Sequence, residues 1–220
     1  MKKRNLSDKR LVELMRLISV TISNESFTEW HGGGIGILKG NRSFVWTCSH
    51  CLPRKRKKFF IKKNIICGER IVDGVSSPVR IIKHHPLLDI ALLEVESGNF
   101  LDKTTTFYIG SDIPILTPAF CCGAPADPDY AGTVITGNIS NYVNFPAESE
   151  NPHIFFNGMV CGGLSGSGLY LRNGMCIGML QSHILRTKNG IACCMSMRGV
   201  YDWAKSAGLG YALPRCSTTF

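Results

Sequence analysis

No stretch of this sequence approaches the roughly 18 consecutive apolar residues that a membrane-spanning helix requires, so neither a transmembrane helix nor a membrane partner is expected. The basic start, MKKRNLSDKRLVELMRLISV, is broken by Glu13 and Arg16 before a clean apolar segment can form, so it does not read as a secretory leader. Asp8 and Glu13 argue equally against a mitochondrial presequence. Charge is sparse, at 19% of 220 residues, and apolar content reaches 44%, which excludes a disordered chain. No internal repeat and no low-complexity tract is visible.

What is present is a succession of short apolar runs punctuated by 23 glycines. The length suits one large domain or two small ones sharing an interface. Ser7 is a plausible N-cap, and Leu11, Leu14, Met15 and Ile18 follow at helical spacing, which predicts a short amphipathic helix over about 7–18. Val20–Ser23 reads as a strand start. From His31 the pattern turns to strands: GGIGILK, SFVWTCS, KFFIKK, IICGERIVDG, VRIIK and DIALLEV. A second series follows: TTTFYIG, TPAFCCG, GTVITGNIS, HIFFNG, GSGLYLR, GMCIGMLQS and GIACCMS. Two sets of about six strands with no long helix between them predict an all-β fold of two antiparallel six-stranded barrels. Short helices are expected at both ends, the second in MRGVYDWAKSAG, and Ser111–Pro118 is the expected connector. The division is 1–28 as an extension, 29–112 as the first barrel and 113–220 as the second barrel with its helix.

Net charge is +9, concentrated in Met1–Arg10 and Arg54–Lys63. The run PRKRKKFFIKK, with Arg54, Lys55, Arg56, Lys57 and Lys58 ahead of two aromatics, could grip the phosphates of RNA or another polyanion, or form a solvated loop between strands. Trp46 and Trp203 are read as core residues. Ten cysteines sit largely in apolar strands, and without a secretory leader they read as reduced, buried thiols of an intracellular, cytoplasmic protein. Cys48-Ser-His-Cys51 is a C-x-x-C that could form a zinc site with Cys121–Cys122 or Cys193–Cys194. Using His50 as a ligand would cost it any other role, so no metal and no cofactor are expected.

Three segments carry chemistry. Ser165 lies in G-L-S-G-S-G, where flanking glycines permit the tight backbone that exposes a hydroxyl and turns nearby N–H groups toward a developing oxyanion. Gly163 and Ser165 are the expected oxyanion donors. Taken alone, this string is equally a Gly/Ser-rich surface turn. His50 ends the apolar strand SFVWTCS, a rigid mount for a general base. Asp89 leads the apolar run Ile-Ala-Leu-Leu, which draws its carboxylate inward, where it needs a partner such as an imidazole Nδ1–H. His84 and His85 are read as loop residues.

The order and context of TCSHC, DIALL and GLSGSG resemble the trypsin/chymotrypsin superfamily over roughly residues 30–205. The resemblance implies a chymotrypsin-like fold and a serine endopeptidase that works through an acyl-enzyme, with His50, Asp89 and Ser165 as catalytic triad. Leu164 stands where secreted trypsins carry the aspartate that pairs with a freed N-terminus, so activation by zymogen cleavage is not expected. Gly32–Gly36 holds no cysteine to pair with Cys51, so the usual disulfide there is not expected either. Both departures look more like viral, intracellular or glutamyl-endopeptidase branches, which makes a viral polyprotein-processing protease one reading.

By the same resemblance the substrate side chain would meet Met159, Val160 and Cys161 before the serine, and Leu180, Gln181, Ser182 and His183 after it. No acidic residue lies in either stretch, which disfavours cleavage after Lys or Arg. His183 could touch an acidic or amide group, or be a loop histidine. The expected partner is a polypeptide substrate, and the expected state a monomer. Two rival readings are a catalytically silent binding module on the same fold, with the basic loop holding nucleic acid, and an esterase. The short-strand pattern disfavours the esterase, because α/β-hydrolases alternate strands with long helices.

Overall fold

Ser7 begins the first helix for a local reason: its hydroxyl accepts the Arg10 N–H at 3.5 Å, capping one of the donors a helix start leaves unpaired. Helix α1 (Asp8–Ile18) then buries Leu11, Met15 and Ile18 along one face. The computed structural model describes residues 5–53, 58–111, 113–143, 153–181 and 191–220.

Six strands follow: β1 (Ser19–Ser23), β2 (Trp30–Lys39), β3 (Arg42–Thr47), β4 (Phe59–Cys67), β5 (Arg70–His85) and β6 (Ile90–Val95). They close into a barrel in the order β1-β2-β3-β6-β5-β4. All the pairs are antiparallel, and β1 completes the ring by pairing Ser19 with Ile35 of β2 and Val20 with Lys63 of β4. Closure removes the edges that an open sheet would leave unpaired.

The second half contains β7 (Thr106–Tyr108), β8 (Pro118–Gly123), β9 (Thr133–Val143), β10 (His153–Phe156), β11 (Gly168–Tyr170), β12 (Met175–Leu180), β13 (Ala192–Ser196), helix α2 (Met197–Ser206) and β14 (Arg215–Ser217). These strands run in the order β11-β8-β9-β10-β13-β12-β7-β14, and a further β11–β12 pairing joins β12 back to the first strand. Six of them therefore form a ring, as expected. All six ring pairings are antiparallel; β7 and β14 add to the ring, and β7 pairs in parallel with both β12 and β14. They fit because β13 covers only Gly178–Leu180 of β12, leaving Met175 and Cys176 on that edge for β7.

Two strands also fall across the expected divisions. β1 lies within 1–28 yet closes the first barrel, and β7 lies within 29–112 yet joins the second sheet. In both cases an unpaired strand edge recruits the nearest segment that can satisfy its backbone groups. Helix α2 returns across the molecule, where Trp203 meets the fully buried Trp46 edge to face at 6.0 Å. Such a pair is worth about 0.5–1.5 kcal/mol beyond its area. The Trp46 indole N–H also donates to the Ala212 carbonyl at 3.3 Å.

Candidate active site

The end of β3 delivers His50 on a single 3₁₀ turn, Ser49–Cys51. The turn between β5 and β6 delivers Asp89, whose φ of +54° lies in the left-handed region that Asp and Asn tolerate better than most residues. The two residues are clamped by two bonds. The His50 backbone N–H donates to Asp89 Oδ1 at 2.9 Å, and His50 Nδ1 meets Asp89 Oδ2 at 2.8 Å. A carboxylate only accepts, so Nδ1 carries a proton, and Nε2 presents its lone pair when the ring is neutral. Burial opposes charge on the imidazole, but the Asp89 carboxylate and Cys51 outweigh it and hold the His50 pKa above its ordinary value of 6.5.

Ser165 sits in the loop between β10 and β11, which is fixed to the first barrel. The Ser165 carbonyl accepts the Gly33 N–H of β2 at 2.7 Å, and the Cys51 sulfur lies 3.6 Å from the same oxygen. The Gly166 N–H donates to the Leu180 carbonyl at 2.8 Å. Gly163 and Gly166 adopt φ of +93° and +86°, and a Cβ on Gly163 would stand 1.5 Å from the Trp30 ring. Only glycine meets both demands at that position.

Two serines in G-L-S-G-S-G compete for the nucleophile's place, and burial separates them. Ser165 retains 6% exposure, whereas Ser167 is fully enclosed, and its hydroxyl has no hydrogen-bond partner among the described residues. Ser167→Ala is therefore expected to keep turnover within a few-fold of the parent. Removing an unsatisfied buried hydroxyl should also leave stability unchanged or raise it by about 1 kcal/mol. Denaturant unfolding alongside peptide cleavage checks both.

The residues expected around the substrate side chain divide. Met159 is 88% exposed, Cys161 is exposed and Val160 is half-buried against the second barrel's core. Leu180 and Gln181 are fully buried. The Gln181 side chain is engaged within the protein. Its amide nitrogen donates to the carbonyls of Leu88 and Asp89, at 2.9 and 3.1 Å, and its oxygen faces His153 Nε2 at 3.1 Å. Gln181 thus braces the Asp89 turn from the opposite barrel. Nothing in the sequence signalled this brace, because its contacts span 28, 92 and 93 positions. Gln181→Ala is expected to lower kcat by about ten- to a hundredfold through misplacement of Asp89, with KM little changed. Steady-state kinetics would show this, and a loss confined to KM would refute it.

Ser182, His183, Arg54, Lys55, Arg56 and Lys57 lie outside the described residues; Lys58 is exposed. The Cys48 sulfur, a His50 nitrogen and an Asp89 oxygen lie within 4.8 Å of one another. Cys121–Cys122 and Cys193–Cys194 belong to β8 and β13 and do not join this group, so the zinc arrangement weighed from the sequence is not assembled among the described residues. All ten cysteines are free thiols, and Gly32 stands against Cys51, where a Cβ would lie 2.6 Å from the sulfur.

Comparison with known proteins agrees with this architecture. The chain superposes on the HtrA-type protease AlgW, solved with a decapeptide, with a TM-score of 0.72 and 15% identity over 93% of this chain and 69% of that one. It superposes on the serine endoprotease from Yersinia pestis with a TM-score of 0.70 and 17% identity, over 94% and 68% of the two chains. No curated protein sequence matches. The family model for the trypsin-like peptidase domain matches residues 34–179, a span that contains His50, Asp89 and Ser165. With more than half of its length under that model, the chain belongs to the trypsin-like peptidase domain family.

Proposed function

We propose that this endopeptidase cleaves polypeptides through an acyl-enzyme, with Ser165 as nucleophile, His50 as general base and then acid, and Asp89 as the group that orients His50. The observation that carries the assignment is the two-bond clamp of Asp89 on His50. It fixes both the ring and its tautomer, so Nε2 is the atom left to take the Ser165 proton. The alkoxide then adds to the scissile carbonyl, and the amides of Gly163 and Ser165 stabilise the oxyanion. Collapse expels the amine as His50 returns the proton, and water repeats the sequence to release the acid.

The exposed Met159 and the half-buried Val160 support an apolar or uncharged polar side chain at the cleavage position. The decapeptide held by AlgW supports a polypeptide as substrate. Leu164, fully buried in the second core, supports an enzyme that needs no cleaved N-terminus to order its serine loop. The G-L-S-G-S loop style supports a place with viral and intracellular processing proteases.

Labelling with a fluorophosphonate probe, followed by mass spectrometry of the adduct, tests the assignment. An adduct on Ser165 is the expected result. Absence of any adduct on folded protein would instead favour a silent binding module on the same fold.

A further inference from the structure

We propose that Cys48 and Cys51 form a hydroperoxide-sensitive dithiol that closes into a disulfide across His50 and switches the peptidase off; the switching half of this proposal rests on the function proposed above. The two cysteines bracket the general base on one turn. The Cys51 N–H donates to the Cys48 carbonyl at 3.2 Å, a tight-turn bond from residue i+3 to residue i. Such a turn brings the first and last Cα atoms to within about 7 Å, and a disulfide needs about 4.4–6.8 Å. Closure therefore requires a rotation of side chains rather than a rearrangement of the barrel.

The pair is chemically asymmetric. Burial raises the thiol pKa of Cys121, Cys194 and Cys216, and pushes Cys122 and Cys193 up to about 12. Burial likewise holds Cys48 well above its ordinary value. Cys51 moves the other way: its neighbours Cys48 and His50 hold it below its ordinary value, against the opposing effect of burial. Cys51 is thus the attacking thiolate and Cys48 the resolving thiol. Both residues are fully buried, so an oxidant as small as hydrogen peroxide suits them and a bulky disulfide does not. The Cys51 thiolate attacks one peroxide oxygen, forming an S–O bond as the O–O bond breaks and hydroxide leaves with a proton as water. The Cys48 sulfur then attacks the sulfenic sulfur, the S–S bond forms and a second water departs. Overall, two thiols and one peroxide yield one disulfide and two waters.

The cost to the active site follows from what the sulfurs touch. The Cys48 thiol donates to the Leu180 carbonyl at 3.0 Å, and Cys51 lies against the Ser165 carbonyl. These contacts join the His50 turn to the serine loop across the two barrels. Disulfide closure spends the first and draws the second sulfur aside, shifting His50 against Ser165.

The test is to treat the full chain with hydrogen peroxide, quench, and follow intact mass, peptide mapping and peptide cleavage together. The expected result is a loss of two hydrogens, a Cys48–Cys51 linkage, and turnover lower by about a hundredfold, all reversed by dithiothreitol. Cys48→Ala under the same treatment should show no linkage and a loss of turnover that dithiothreitol does not restore, as Cys51 oxidises further. If both cysteines remain alkylatable after treatment, or if the disulfide forms with turnover unchanged, the switch is refuted. A linkage formed in a chain with no turnover at all would keep the modification site and overturn the peptidase mechanism instead.

Discussion

Ser165→Ala is expected to lower kcat by about a millionfold, the scale reached when the nucleophile of a serine peptidase is removed, while the protein keeps its fold. The fold should survive because the contacts that hold the loop are made by its backbone: the Gly33 N–H on the Ser165 carbonyl and the Gly166 N–H on the Leu180 carbonyl. Alanine retains both. The variant should still bind peptide, since the oxyanion amides and the surrounding surface are unchanged, so KM should move far less than kcat. Cleavage of a peptide library, with circular dichroism to verify folding, decides the matter. Turnover within tenfold of the parent would move the nucleophile elsewhere, and the enclosed Ser167 would have to be reconsidered.

Asp89→Asn should cost about 10⁴ in kcat, by reversing the tautomer that the clamp enforces. Asparagine accommodates the +54° backbone almost as well as aspartate, so the turn is preserved. One amide oxygen can keep the bond to the His50 N–H, but the amide NH₂ then faces Nδ1. That ring nitrogen becomes an acceptor and the proton moves to Nε2, which can no longer take a proton from Ser165. The pH profile gives a second readout. Catalysis needs neutral His50, and its folded pKa stands above 6.5, so kcat/KM should rise with pH along a limb lying alkaline of that value. Removing the carboxylate leaves only Cys51 to oppose burial, which disfavours the imidazolium, so the limb should move to lower pH. A limb unmoved by the substitution, or a kcat within tenfold of the parent, would show that Asp89 does not govern His50.

The sequence carried the elements and their chemistry where the signals are local. Ser7, Leu11, Met15 and Ile18 specify α1 through an N-cap and a helical stripe, and the bounds of the helix match the expectation to within one residue. The three short motifs singled out His50, Asp89 and Ser165, and the structure sets His50 and Asp89 in direct contact while the serine loop is bonded to β2 and to the His50 turn. Strand membership was less legible. β1 reads as a fragment of an extension because its reason for existing is the open edge between β2 and β4, which is not a local property. β7 reads as the end of the first barrel for the same reason.

The sequence by itself therefore determined the repertoire: short strands, two terminal helices, a histidine at a strand end, a carboxylate before an apolar strand and a serine among glycines. Those are matters of periodicity and backbone freedom, and each is written within a few neighbouring residues. Only the tertiary structure decided which side chain serves which purpose. It enclosed Ser167 completely while leaving Ser165 a small residual exposure. It turned Gln181 inward to brace the Asp89 turn, and it set the Cys48 and Cys51 sulfurs against the loop that carries Ser165 and the strand end at Leu180. Those choices depend on contacts between residues about a hundred positions apart, made only when two barrels pack together, and no local pattern encodes such a contact.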